Sequence, residues 1–280
     1  MPQKETQNQH YLLIEAVINY LLDHQTQQPE LTEIAAHFSL SEFSFKRIFV
    51  DWVGISPTRF LQFLTPKYLK AQLNIGYSNI NAVYQLGLSG NGSCHKLFVN
   101  IKAITPTQYK RLGKGLYIDY GFHSSPFGDY LLAVTEKRIC HISFVEHSKE
   151  ETEATFKTEW HLTKVGRNEK KTNETHQKIF SSNSTQELKL LLRGTQFQVQ
   201  IWQALLNIPF GAVSNYENLA AATGKISATR PAASAIAKNK IAYLIPCHRV
   251  IRKNGESGEF RWGKNKKKIL LAYESAVSKN

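Results

Sequence analysis

The chain has 280 residues, 42% of them apolar, which is room for about two domains with cores of ordinary size. Its longest apolar runs fall far short of the ~18 residues of a membrane span, and its polar start, MPQKETQNQHYLL, has no secretory apolar core. The net charge of +13 is uneven: residues 191–280 hold fourteen basic against four acidic groups, residues 8–112 nine against six, and residues 113–190 eleven of each. A field so concentrated attracts a polyanion, nucleic acid first, and the expectation is a cytoplasmic protein without membrane contact.

Residues 8–112 read as mostly helical. YLLIEAVINYLLDH places Leu13, Val17, Ile18, Leu21 and Leu22 at helical spacing. Thr32 is the expected cap of a helix carrying Ile34, Ala35 and Phe38, and Ser41 that of a helix carrying Phe45, Ile48 and Phe49. Two short helices across a tight turn make a helix-turn-helix. The pattern recurs about 49 residues later. There a short helix (Ile80, Val83, Tyr84) precedes a Gly-containing turn and a second helix ending near Phe98, so that DWVGISPTRF and NIKAITPTQY follow matching units. RFLQFLTPKYLKAQLNIGYS links the two as a helix.

Residues 113–190 change character. The stretch 117–147 carries short strand-like runs broken by turn residues, SKEETEATFKTEW is charged and helical, and GRNEKKTNETHQ is read as a polar loop. From residue 191 helices return. FQVQIWQALLNI is amphipathic, NYENLAAATG ends at Gly224 as a C-cap, and ISATRPAASAIAKNK is an Ala-rich helix with Ser227 as its cap. This makes a third helix-turn-helix.

LIPCHRVIR, residues 244–252, then places Cys247 beside His248 and two arginines. The three cysteines, Cys94, Cys140 and Cys247, are odd in number and far apart, which argues against a disulfide framework and against a CxxC zinc site. By residue type alone Cys247 is either a buried small apolar group or a nucleophile. His248 alone reads as a structural histidine, Glu274 as a solvated helix-end charge, and the run WGKNKKK as a solvated face that meets phosphate diffusely.

Once these blocks are set side by side, residues 8–112 resemble the paired helix-turn-helix domain of AraC-type regulators. Leu88, Gly92, Ser93 and Cys94 depart from the pattern in the second unit. Residues 115–280 resemble the O6-alkylguanine-DNA alkyltransferases of the Ada type, through GTQFQVQIWQALLNIPFG, NYENLAAATG, IPCHRVI, FRWG and LLAYE. The zinc module of the full Ada pattern is not seen, since no cysteine precedes Cys94.

The resemblance implies a multidomain α and α/β chain. An all-α domain at 8–112 is followed by a small ribonuclease-H-like α/β domain at 115–190 and a helical, winged-helix-like catalytic domain at 191–280. It implies single-turnover transfer of a methyl group from O6-methylguanine, and from O4-methylthymine as a further substrate, to Cys247. His248 would take the thiol proton through a water, and Glu274 would orient the imidazole. No cofactor or metal is implied. The partner would be double-stranded DNA containing O6-alkylguanine, bound by a monomer, with promoter DNA met by residues 31–49 and 80–99 in linked transcription regulation; the alternative is an AraC-type regulator whose C-terminal domain acts mainly as an alkylation sensor.

The implied base-extruding residues are Tyr216 and Arg230, on a helix whose Ala232 and Ala233 allow close approach to a minor groove. Asn239, Arg249, Phe260 and Trp262 complete the implied DNA and base contacts, with Asn239 bracing the active-site turn. Trp262 would narrow the pocket against bulky alkyl groups. Four positions depart from the pattern: Asn215, Pro231, Lys240 and Phe260. Pro231 is expected to push Arg230 out of helical geometry and delay the helix start. Cys94, expected in a helix, and Cys140, expected on a strand, are read as structural.

Overall fold

The computed structural model describes residues 13–21, 23–24, 27, 29–53, 56–58, 60, 93–94, 97–112, 115–136, 138–180 and 187–278. The expected linking helix and the helix around Ile80 lie outside these residues. The first helix-turn-helix is present, as α1 (Leu31–His37) and α2 (Glu42–Val53). The cap of α1 is Glu30, whose backbone N–H donates to the Glu33 side chain at 3.0 Å; Thr32 sits inside the first turn. Ser41 does cap α2, accepting from the Ser44 N–H at 3.2 Å. Ile34, Ala35, Phe45 and Phe49 are buried against Ile14, Val17, Ile18 and Leu21 of the helical residues 13–21, leaving Phe43, Lys46 and Arg47 of α2 exposed.

Among the described residues, the end of the expected second helix of the repeat is strand. Ser93–Cys94 is a strand, β1, antiparallel to β2 (Leu97–Ile104), so Cys94 is not helical. β2 in turn runs parallel to β7 (Leu188–Arg193), pairing Val99 with Leu188 through Ile104 with Arg193. β-branched Val99, Ile101 and Ile104 suit a pleated surface, and pairing with the apolar LKLLLR edge overrides a local helical pattern. Beyond it, α3 (Pro106–Leu112) opens on proline and a reciprocal cap between Thr105 and Gln108.

Three antiparallel strands follow: β3 (Tyr117–Ser125), β4 (Gly128–Thr135) and β5 (Arg138–Phe144). Then come α4 (Lys149–Glu159), capped by Ser148, β6 (Lys164–Arg167) and α5 (Glu169–Phe180). The mixed sheet has the order β1-β2-β7-β5-β4-β3-β6. α5 corrects the expected loop. Its composition is polar, but the Asn168 side chain caps it, and Thr172 and Ile179 are buried on one face with His176 stacked on His123. That spacing, three to four residues, is helical.

The last stretch comprises α6 (Gln196–Leu206), β8 (Ser214–Asn215), α7 (Tyr216–Ala222), α8 (Thr229–Ala237), a 3₁₀ turn at Cys247–Arg249, β9 (Val250–Ile251) and α9 (Lys264–Val277). Gly224 ends α7 as expected, at φ +75°, where a side chain would be strained. α8 starts before Pro231, not after it. Pro231 is the third helical residue, where the missing N–H has no intrahelical partner to lose. Arg230 therefore keeps a place in the first turn. Ser227 is not its cap; Ala228 holds that position without a side-chain bond. Among the described residues no helix is long and apolar enough to cross a membrane.

Candidate active site

The sulfur of Cys247 is held by the chain that approaches it. Asn239 is buried just after α8. Its Nδ2 donates to the Ile245 carbonyl and to Cys247 Sγ, both at 3.1 Å, and its Oδ1 accepts from the Ile241 N–H at 3.0 Å. Between them Tyr243 adopts φ +66°, an uncommon conformation for a bulky residue and a mark of local strain. Burial pushes the Cys247 thiol above its ordinary value, while the Asn239 hydrogen bond and the charge of Lys267 pull it back. The resting side chain is thus a thiol, and reaction needs a base.

The candidate base stands next in sequence. His248 is completely buried, with Nε2 2.8 Å from Glu274 Oε1. Burial works against the Glu274 carboxylate, but Arg249 and then His248 outweigh it and hold the group well below the usual carboxylate range. An ionised Glu274 can only accept, so Nε2 carries the proton and Nδ1 carries the lone pair. Nδ1 is buried and has no protein hydrogen-bond partner. Burial also lowers the imidazole pKa, keeping it neutral and able to accept a proton.

Arg249 corrects an expectation. It is fully buried and meets Glu274 twice, Nε to Oε2 at 2.6 Å and Nη2 to Oε1 at 2.9 Å, while Nη1 donates to the Ile208 carbonyl at 2.6 Å. No duplex reaches it there; it neutralises the carboxylate. The Gly211 N–H gives Glu274 Oε2 one more donor at 3.3 Å. Gly211 has φ +78°, and a Cβ there would lie 2.2 Å from Ser278 Oγ, so IPFG needs its glycine for conformation and for space.

The lysine run is not a solvated face either. Lys266 and Lys267 are 9% and 1% exposed. Lys267 Nζ donates to the Val250 carbonyl at 2.6 Å and the Glu259 carbonyl at 3.3 Å, and burial lowers its pKa to about 8. Lys266 reaches the Phe127 carbonyl and Glu15. Sequence reading passed over Lys267, although it lies one turn before buried Leu270 and two before Glu274 on the same helical face. Lys267→Met is expected to slow reaction at Cys247 about tenfold at neutral pH, the effect of losing one neighbouring charge worth roughly 1.4 kcal/mol. Single-turnover rates from pH 6 to 9 check this, since the rate profile should also move to higher pH.

The residues around the sulfur divide into two groups. Phe260 lies edge-on to His248 at 6.4 Å and to Trp262 at 5.2 Å, and Trp262 is buried with Nε1 donating to Ser143 Oγ at 2.9 Å. Half-buried Tyr216 opens α7, whose cap is Asn215, accepting from the Asn218 N–H at 2.9 Å. On α8, Arg230, Pro231, Ser234, Ala237 and Lys238 are exposed, whereas Ala232 and Ala235 are buried and Ala233 is partly buried. Ala232 thus packs inward and cannot line a groove contact. The helical period explains it: residues 232, 235 and 236 share the core face.

The model for the 6-O-methylguanine DNA methyltransferase DNA-binding domain matches residues 196–276, and a helix-turn-helix domain model matches residues 34–112. The bifunctional transcriptional activator/DNA repair enzyme Ada of Escherichia coli is 30% identical over 277 residues, 98% of this chain and 78% of that protein. The chain belongs to the Ada family. The regulatory protein Ada of Salmonella typhimurium shares 30% identity over 248 residues, 88% of this Ada-family chain and 70% of its relative. Among solved structures, Mycobacterium tuberculosis OGT in complex with DNA is 27% identical, covering 56% of this chain and 92% of that one, with a TM-score of 0.45.

Proposed function

We propose that this Ada-family chain is a methylated-DNA–protein-cysteine methyltransferase that repairs duplex DNA by direct reversal. Cys247 Sγ takes the methyl group of O6-methylguanine, with O4-methylthymine as a second substrate. One S–C bond forms and one C–O bond breaks, its electron pair staying on O6. The proton that leaves the thiol passes through water to His248 Nδ1, and guanine gains one proton from solvent in exchange. The product is a thioether, so each molecule acts once. The observation that carries this reading is the buried sulfur on Asn239, beside a histidine whose far nitrogen is fixed by a carboxylate.

Duplex DNA is the partner. Arg230, exposed in the first turn of α8, fills the gap left by the extruded base in this reading, with Tyr216 assisting its rotation and exposed Lys238 meeting phosphate. Residues 115–190 are read as ribonuclease-H-like and residues 191–280 as winged-helix-like. A linked role in transcription is supported by the exposed Lys46 and Arg47 of α2, a helix-turn-helix second helix of the kind that enters a major groove. Relatives named as a transcriptional activator and as a regulatory protein support the same role.

Incubation with a duplex carrying one O6-methylguanine should add one methyl group to the intact mass, mapped to the peptide containing Cys247. Absence of transfer at stoichiometric protein, with the duplex bound, overturns the reading.

A further inference from the structure

Two loops meet the Cys247–His248 pair, one at the sulfur and one at the imidazole, and one carboxylate from outside the catalytic half holds both. Asn239, which bonds the sulfur, is followed by Lys240; Phe260, edge-on to the His248 ring, and Trp262, packed on Phe260, are separated by Arg261. Glu159, the last residue of α4, accepts from Arg261 Nη2 on Oε1 at 2.6 Å and is ion-paired with Lys240, whose Nζ lies 2.9 Å from Oε2. His141 Nδ1 stands 3.6 Å from Oε2. Glu159 is 15% exposed at its side chain, Lys240 21% and Arg261 32%, so the cluster is largely shielded from water and its charges are weakly screened.

The balance of charge gives this geometry a consequence. Lys240 and Arg261 are like charges brought together, with Arg193 lining the same cleft of about 580 Å³. Without the carboxylate they repel, and repulsion drives apart the two loops that carry them. The backbone of β5 reinforces the same junction: the Ile142 N–H donates to the Lys240 carbonyl at 2.9 Å, and Ser143 accepts from the Trp262 indole. The α/β module therefore grips both the Asn239–Lys240 loop and the Phe260–Trp262 loop, and Glu159 is the only acidic side chain on the cleft's lining among the described residues.

We propose that Glu159 is a positioning residue for methyl transfer, which holds the Asn239–Lys240 loop and the Phe260–Trp262 loop at the spacing that fits a methylated base and excludes larger alkyl groups. The inference rests on the methyl-transfer reading of Cys247. It acts through geometry alone: Glu159 touches neither the sulfur nor His248, and its loss widens the pocket while loosening Asn239 from Sγ.

The test compares wild type, Glu159→Gln, Arg261→Met and, as a control, Glu150→Gln, an exposed residue in the first turn of the same helix. Single-turnover rates are read with an O6-methylguanine duplex and with free O6-benzylguanine, alongside duplex affinity and the endpoint of methyl incorporation. Glu159→Gln should lower the maximal methyl-transfer rate about tenfold, within the range that small misplacement costs, with duplex affinity unchanged. The benzyl-to-methyl rate ratio should rise about tenfold or more, and Glu150→Gln should match wild type. Glu159→Gln in a Lys240→Met/Arg261→Met background should have no further effect.

Wild-type rate and ratio in Glu159→Gln overturn the inference, as does a lower endpoint at unchanged ratio, which is the signature of simple destabilisation. Should Glu159→Gln not fold, Arg261→Met, whose side chain is one-third exposed, must show the ratio change or the inference fails. No transfer by wild type itself overturns the methyl-transfer reading instead, so the two failures are distinct.

Discussion

Arg249→Met is expected to destabilise the protein by about 3–5 kcal/mol, the scale for removing one partner of a buried ion pair. The guanidinium makes three short bonds and is completely buried, as is the carboxylate it meets. Methionine fills much of the volume but leaves Glu274 charged in an apolar setting and the Ile208 carbonyl without its donor. Urea unfolding should show a lower midpoint at unchanged slope. Replacing both partners, as Arg249→Met/Glu274→Leu, should cost less than the sum of the single changes, because no lone charge remains.

The same pair sets an acid limit. Glu274 is held well below the usual carboxylate range in the fold, so the unfolded chain binds its proton first as pH falls. The stability it contributes is complete above the unfolded value of about 4.3 and is lost progressively below it. His248, lowered by burial, acts in the same direction below about 6.5, since the unfolded chain protonates it more readily than the fold does. In Arg249→Met the acid limb should move to higher pH, followed by circular dichroism from pH 7 to 3.

Cys247→Ser should abolish methyl transfer, by on the order of 10⁶ or to below detection, the scale of losing a nucleophile from a coupled unit. The reason lies in the site. Burial already disfavours the anionic form of Cys247, and only a soft, acidic thiol yields an anion against it with a neutral imidazole as base. A serine hydroxyl is far less acidic, and the Lys267 charge does not close that gap. The substitution removes one atom's polarisability and little volume, so duplex affinity and thermal midpoint should stay near wild type. A mass shift on any other residue in Cys247→Ser would contradict the assignment.

Local features were legible from the residues themselves. Ser41 stands as a cap three residues before the amide it receives, and Gly224 supplies the left-handed φ that ends α7, whereas Thr32 and Ser227 do not cap. IPCHRVI and LLAYE mark out Cys247, His248 and Glu274, and the fold brings the imidazole and carboxylate together across 26 residues. Helix α5 was hidden by its polar composition, because only Thr172, His176 and Ile179 mark its inner face. The segment 97–104 was hidden for the opposite reason: a periodic local pattern gave way to pairing with β7.

Charge was the hardest property to place. Arg249, Lys266 and Lys267 look like surface residues of a basic domain, yet each is buried on an acceptor distant in sequence or enclosed by the fold. Glu159 reaches Arg261 across 102 residues. The amino-acid sequence by itself determined the family, the ends of helices at Ser41 and Gly224 and the uneven positive field, since these depend on residue identity and on contacts within a turn or two. Only the tertiary structure decided which charges stay exposed and which are spent inside. Burying a charge is favourable only opposite a partner, and that partner comes from another part of the chain.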